Sequence, residues 1–154
     1  MAMIPFHTLC PEIAQREVRC IHVLVASGAV SHGGLSAGEY AYVEFYCDDL
    51  DCDCRRVFLE VIARHQQDKV LASINYGWEK QSFYRKRLPW PPDAARDIVR
   101  GALDPLNQQS EASEELLRIF QRQVLDEKYR LRLRRHHQLF REELRRRGGW
   151  KPPT

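Results

Sequence analysis

Residues 38–62 read GEYAYVEFYCDDLDCDCRRVFLEVI, two alternating segments joined by a short stretch rich in cysteine and aspartate. Apolar side chains recur at every second position from Ala41 to Cys47, and again from Val57 to Val61. Alternation with a period of two is typical of strands that bury one face. Because the connection is only a few residues long, the pattern predicts an antiparallel hairpin with the cysteines at its turn.

Two further segments extend this hairpin into a sheet. Residues 17–25, EVRCIHVLV, alternate and are rich in β-branched side chains, and in 69–78 the residues Val70, Ala72 and Ile74 share one face. Short turns and the lack of a helical pattern between these segments predict a mostly antiparallel meander.

The period changes after Pro91. A proline start and a stop at Gly101 predict one short helix, and the last 45 residues carry apolar side chains at helical spacing. The apolar stripe before Leu125 is rotated by about a third of a turn from the stripe after Asp126, at ~100° per residue. We therefore expect a break near Leu125 and Asp126.

These patterns predict an α+β fold: an about four-stranded, mostly antiparallel sheet with two or three C-terminal helices packed on one face. We expect a single zinc-stabilised domain in residues 1–149, mainly β in 1–90 and mainly α in 91–149, followed by a tail at 150–154. The chain of 154 residues is 44% hydrophobic and 29% charged, which is ordinary for a globular protein. The sequence contains neither a membrane-spanning stretch nor a secretory signal, so we expect no membrane partner and a cytoplasmic location.

The stretch CDDLDCDCRR at 47–56 holds three of the five cysteines. A turn between two strand ends can bring Cys47, Cys52 and Cys54 together, and thiolates are preferred ligands of structural Zn²⁺. Zinc takes four ligands, so a fourth must come from elsewhere in the chain. Cys10, followed by a rigid proline, is the first candidate and His7 the second.

Other interpretations of this stretch are weaker. Asp49, Asp51, Asp53 and Glu60 match a calcium-loop count, but Cys54 stands where that loop needs glycine and the flanks are strands. Thiol redox sites usually have Cys-x-x-Cys at the start of a helix. An acidic turn with unligated cysteines is a further alternative.

Five strings of this sequence resemble an uncharacterised bacterial family: Leu-Cys-Pro-Glu at 9–12, Gly-Glu-Tyr at 38–40, Glu-Phe-Tyr-Cys at 44–47, Cys-Asp-Cys-Arg-Arg-Val at 52–57 and Ala-Ser-Ile-x-Tyr-Gly-Trp at 72–78. Some members carry an additional cysteine-rich zinc motif at the C-terminus, whereas WKPPT at 150–154 contains no cysteine. The resemblance implies that Cys10, Cys47, Cys52 and Cys54 belong to one motif. It implies no activity.

Positive charge is concentrated at the C-terminal end. Residues 111–154 carry 12 Lys and Arg against 7 Asp and Glu, whereas residues 1–110 carry 12 against 14. Aromatic and basic side chains also alternate in 75–90, a pattern that suits single-stranded nucleic acid. The candidate residues for binding nucleic acid or a protein partner are Trp78, Lys80, Arg85, Lys86, Arg87, Arg130, Arg134 and Arg135.

The sequence therefore predicts a non-enzymatic, zinc-stabilised interaction module. The alternative is a hydrolase or thiol-redox enzyme that uses the cysteine cluster. For a hydrolase, GLSAG at 34–38 matches Gly-x-Ser-x-Gly, and His32 precedes it; that motif needs a helix after the serine, where this sequence predicts a strand.

Overall fold

A computed structural model describes residues 2–28 and 33–154, and its centre is an antiparallel sheet. The predicted His32 lies outside the described residues. The sheet order is β1-β3-β4-β5-β6, and β2 also pairs with β3. The fold class is confirmed, although the sheet has six strands where the sequence predicts about four. The strands are β1 (Met3–Pro5), β2 (Arg19–Val23), β3 (Gly38–Cys47), β4 (Arg56–Ala63), β5 (Lys69–Gly77) and β6 (Ala102–Leu103).

Helices are found on both sides of the expected boundary at residue 90. Three of them precede it, in the part expected to be mainly β, and the other three are C-terminal. The helices of the described residues are α1 (Phe6–Leu9), α2 (Pro11–Glu17), α3 (Gln81–Arg87), α4 (Ala94–Arg100), α5 (Ser113–Ile119) and α6 (Glu127–Arg146). Among the described residues, no helix combines the length and the apolar character that crossing a bilayer requires.

The predicted break between the two C-terminal stripes is confirmed. A π-helical segment, Phe120–Val124, follows α5, and the backbone leaves the helical region at Leu125. Asp126 then caps α6 by accepting a hydrogen bond from the Tyr129 amide, at 2.7 Å. The break turns the second stripe toward the sheet, so Tyr129, Leu133, His136, Phe140 and Leu144 are all buried.

The core lies between the sheet and helices α5 and α6. Val57, Leu59 and Val61 of β4 share the core face as predicted, and all three are fully buried. In β5 a register shift sets Val70 opposite Ile62, so Val70 does not share the face of Ala72 and Ile74.

The predicted core face of β3 is wrong. The side chains against the helices are Tyr40, Tyr42 and Tyr46 together with Glu44, whereas Val43 and Phe45 are half-buried on the other face. Tyrosine can fill a core because its ring is apolar and its hydroxyl needs only one partner.

The N-terminal segment covers one edge of β3. β1 pairs with residues 45–47 of β3 and β2 pairs with 38–42, both antiparallel. Helices α1 and α2 connect these two strands. Among the described strands, Val43 and Glu44 therefore have no partner on this edge.

Candidate metal centre

The cysteine turn, residues 47–55, connects β3 to β4 and is fixed at its start by the N-terminus. The Asp48 amide donates to the carbonyl of Ala2 at 2.9 Å, and the Asp48 carboxylate accepts from the Ala2 amide at 2.7 Å. Farther along, the amides of Asp51 and Cys52 both donate to Asp49. The turn ends at Arg55, whose positive φ of 44° allows the chain to enter β4.

The turn brings three of the predicted ligands together. The sulfur atoms of Cys47, Cys52 and Cys54 all lie within 4.8 Å of one another. Cys47 is buried, and Cys52 and Cys54 are half-buried. Because thiolates around a zinc ion each lie ~2.3 Å from the metal, sulfurs at these separations can share one ion. The group is close enough to bind a metal.

Burial raises the pKa of two of these thiols, Cys47 and Cys54. The pKa of Cys54 is raised to about 12, chiefly by burial and in addition by the neighbouring Cys52 and Cys47. The pKa of Cys47 is raised as well, again chiefly by burial. Without a metal the Cys47 and Cys54 thiols therefore stay protonated near neutral pH.

Helix α6 holds the cysteine turn through Arg141. Its guanidinium donates to the carbonyl oxygens of Leu50 at 2.7 Å, Cys52 at 3.0 Å and Asp49 at 3.4 Å. A planar fork with five donors suits such converging acceptors. The sequence did not predict this contact, because nothing in a basic helix distinguishes the arginine that faces a turn.

The structure does not bring the two candidate fourth ligands into this group. Cys10 lies between α1 and α2, where burial and the nearby Glu143 carboxylate raise its pKa. His7 belongs to α1 and lines a different cavity, together with Tyr42 and Glu44. Of the cysteines that the sequence places in one motif, the fold joins three.

The carboxylates of Asp53 and Asp51 do not belong to the sulfur group. Asp53 accepts a hydrogen bond from Arg55 at 2.8 Å and lies 3.9 Å from the Arg87 guanidinium. The Arg55 hydrogen bond is the main reason why the pKa of Asp53 lies below its usual value. Asp51 is exposed to water.

A second cavity lies beside the turn and is called the basic groove here. It has a volume of about 520 Å³. Its lining includes Trp78 and His137, four arginines and three carboxylates: Arg55, Arg134, Arg141, Arg145, Asp53, Glu79 and Glu142. Trp78 packs on His137 with ring centroids 5.0 Å apart. Burial, and then Arg141, lower the pKa of His137 to about 4, so this ring is neutral at pH 7.

The other predicted binding residues are dispersed. Lys80, Arg85 and Lys86 are exposed at or near α3, and Arg87 stacks on Phe83 at 3.6 Å. Arg130 lines another cavity, with Arg122 and Arg118. Arg135 pairs with Glu17. The fold therefore joins Trp78 and Arg134 in the basic groove and separates the rest from it.

Sequence reasoning also missed a buried polar network. His136, which is fully buried, contacts Glu44 through Nδ1 at 2.8 Å and Glu17 through Nε2 at 3.2 Å. The Tyr46 hydroxyl donates to the same Glu44 carboxylate at 2.6 Å, and Phe6 stacks on the imidazole. The network connects α2, β3 and α6. A glutamate among alternating tyrosines was the signal that could have revealed it.

The serine of the GLSAG motif lies just before β3. Its Oγ is 2.8 Å from His65 Nε2, and His65 Nδ1 is 3.2 Å from the carbonyl oxygen of Glu39. A strand follows Ser36 where a nucleophile elbow has a helix.

No family model matches the chain, and no curated protein or solved structure gives a significant match to it.

Proposed function

We propose that this chain is a non-enzymatic, zinc-stabilised interaction module that binds single-stranded nucleic acid through the basic groove. The observation that carries the proposal is the convergence of the Cys47, Cys52 and Cys54 sulfurs within 4.8 Å. A soft thiolate set at a turn is the usual environment of structural zinc. Membership of the cysteine-motif family and a cytoplasmic location belong to the same proposal.

A structural role for the thiols is favoured over redox chemistry. A reactive cysteine needs a lowered pKa and an electropositive site, whereas the pKa values of Cys47 and Cys54 are raised by burial. A bound zinc ion would supply the positive charge that deprotonates them. The hydrogen bonds from Arg141 also fix the turn against α6, as a structural site requires.

The position of the groove supports a polyanionic partner. Around Trp78, four arginines from α6 and the cysteine turn outnumber the three carboxylates of the lining. One wall of the groove is the segment that the metal would hold. Stacking on an aromatic ring beside cations is how proteins bind single strands without reading base pairs. Because Arg141 contacts both the groove and the turn, loss of the metal should disturb this surface.

Zinc content tests the first half of the proposal. We expect about one equivalent of zinc, by elemental analysis, in the full chain purified without added metal. Cys52→Ser should fall below half of that content. Cys20→Ser is the matched control, because Cys20 lies in β2 outside the sulfur group. Less than half an equivalent in the unaltered chain would contradict the proposal.

Fluorescence anisotropy with labelled single-stranded RNA and DNA tests the second half. We expect Kd to rise with salt, and the double variant Arg134→Gln and Arg145→Gln to lower the logarithmic salt slope by ~1.4, at ~0.7 per phosphate contact. Arg16→Gln with Arg96→Gln removes the same charge from α2 and α4, outside the groove. Equal losses from both double variants would argue for unspecific attraction and against the groove.

One observation favours a second candidate, a serine hydrolase. The Ser36–His65 contact has the length of a nucleophile–base hydrogen bond. For this candidate, a fluorophosphonate probe should label Ser36, and His65→Ala should abolish the labelling. If the probe does not label Ser36, the pair is only a turn contact.

A further inference from the structure

The three converging sulfurs leave a zinc ion one ligand short. Zinc in proteins is tetrahedral, with four ligands in structural sites and three plus an exchangeable one in catalytic sites. Within residues 2–28 and 33–154, no other cysteine, histidine, aspartate or glutamate has a ligand atom within 4.8 Å of all three sulfurs. Cys10 lies instead near Glu143, and the Asp53 carboxylate is held by Arg55.

A cavity of about 270 Å³ opens beside the sulfurs and is called the thiol cavity here. It is lined by Cys52 and Cys54 of the turn and by Asp53, Arg56, Tyr84 and Arg87. Its volume corresponds to roughly nine water molecules at ~30 Å³ each, so it suits a small molecule.

The charges around the thiol cavity favour an anion. A divalent metal with three thiolates carries a net charge of −1, and an added monoanion makes it −2. Arg56 and Arg87 together provide +2. Asp53 lies 3.9 Å from Arg87, and the positive charge of its hydrogen-bonded partner Arg55 balances its negative charge. A fourth ligand bearing one negative charge would therefore complete a neutral site.

We propose that the metal held by Cys47, Cys52 and Cys54 keeps a fourth coordination position open to the thiol cavity, where it binds a small monoanion balanced by Arg56 and Arg87. This inference rests on the metal site of the proposed function. In place of a closed site with four cysteine ligands, the centre has three cysteine ligands and one exchangeable ligand.

Cobalt substitution of the full chain tests the inference, because Co²⁺ occupies tetrahedral thiolate sites and its visible bands report the ligand set. We expect azide and imidazole each to shift the visible bands saturably. Arg87→Gln should weaken azide binding about fivefold, as expected for one lost cation in a solvated site, and leave that of neutral imidazole unchanged. Arg85→Gln, on the same helix and outside the cavity, should change neither.

The outcomes separate the inference from the proposed function. If cobalt gives no sulfur charge-transfer band, the metal site itself is wrong. If cobalt binds but azide and imidazole leave the bands unchanged, the fourth position is closed and the inference is overturned. It is also overturned if Cys10→Ser or Asp53→Asn alters the bands, because a protein side chain is then the fourth ligand. If Arg87→Gln leaves the azide affinity unchanged, Arg87 does not balance the anion and that part of the inference is wrong.

Discussion

The two turns at opposite ends of β4 are closed in different ways. The β4–β5 turn, residues 64–68, is short: a 3₁₀ segment leads to two left-handed residues, Gln67 and Asp68. His65, within this turn, forms hydrogen bonds with the Ser36 hydroxyl and with the carbonyl of Glu39. These bonds reach 29 and 26 positions back along the chain, to the start of β3 and the residues just before it.

The cysteine turn is longer and depends on distant parts of the chain. Its carbonyls are satisfied by Arg141, about 90 positions later, and its first residue is tied to Ala2. Four aspartates within residues 48–53 repel one another, and the three sulfurs lie within 4.8 Å of one another without a disulfide. The cysteine turn is thus held not only by its own hydrogen bonds but also by a helix and, in our proposal, by a metal.

Metal removal should produce the largest difference between the two turns. At zinc 1,000-fold above its Kd, a ligand that binds only the folded chain stabilises it by ~4 kcal/mol. A chelator should therefore lower the Tm by about 10 °C, at ~2–4 °C per kcal/mol, in differential scanning calorimetry. Cys54→Ser should lose this response and His65→Ala should keep it. An unchanged Tm of the zinc-loaded chain after chelation would contradict the stabilising role of the metal.

Arg141→Met should be next in size. The variant keeps much of the apolar stem but removes the donor to three carbonyls, which we expect to cost ~3 kcal/mol in the free energy of unfolding measured with urea. Arg145→Met, one turn later on the same helix, should change it by less than ~0.5 kcal/mol. Equal effects of the two variants would show that the contact with the cysteine turn contributes nothing.

His137, packed beside Arg141, should make stability depend on pH. Its pKa is lowered to about 4 by burial and then by Arg141, whereas the unfolded value is ~6.5. The unfolded chain therefore takes up a proton first, and stability falls from pH 6.5 to pH 4, with the full contribution present above 6.5. Between pH 7 and 5 the loss is ~2 kcal/mol in urea unfolding. His137→Gln should reduce the pH-dependent loss by this amount, and an unaltered profile would exclude this origin.

His65→Ala should have the smallest effect. It removes the contacts to Ser36 and to the carbonyl of Glu39 in a solvated turn, for a loss of ~1 kcal/mol in the free energy of unfolding. Zinc content should stay at the level of the unaltered chain. A loss larger than that of Arg141→Met would reverse the contrast between the two turns.

Local patterns predicted much of this architecture. Alternation in β4 identified its core face, and the rotation between two helical stripes located the break before Asp126. Both features depend on neighbouring residues. β3 misled the same reasoning because its core face is built from tyrosines and Glu44, which a count of apolar residues assigns to solvent.

The candidate site was predictable only where its residues are close in sequence. Cys47, Cys52 and Cys54 lie within eight positions, so a turn must bring them near each other. The place of Cys10 depends on how α1 and α2 cross the edge of β3, and the role of Arg141 depends on which side of α6 faces the turn. Neither the position of Cys10 nor the orientation of Arg141 can be read from hydrophobic periodicity.

The shared edge of β3 has a consequence for how this sheet meets other molecules. Its long central strands are shielded by edge strands of three, five and two residues. A short edge exposes few amides and carbonyls to a neighbouring sheet, which is one way in which proteins avoid strand-to-strand aggregation. On the β3 side, the segment that caps this edge also anchors the cysteine turn through Ala2 and Asp48. Loosening that anchor would uncover the edge and at the same time remove one of the contacts that hold the turn.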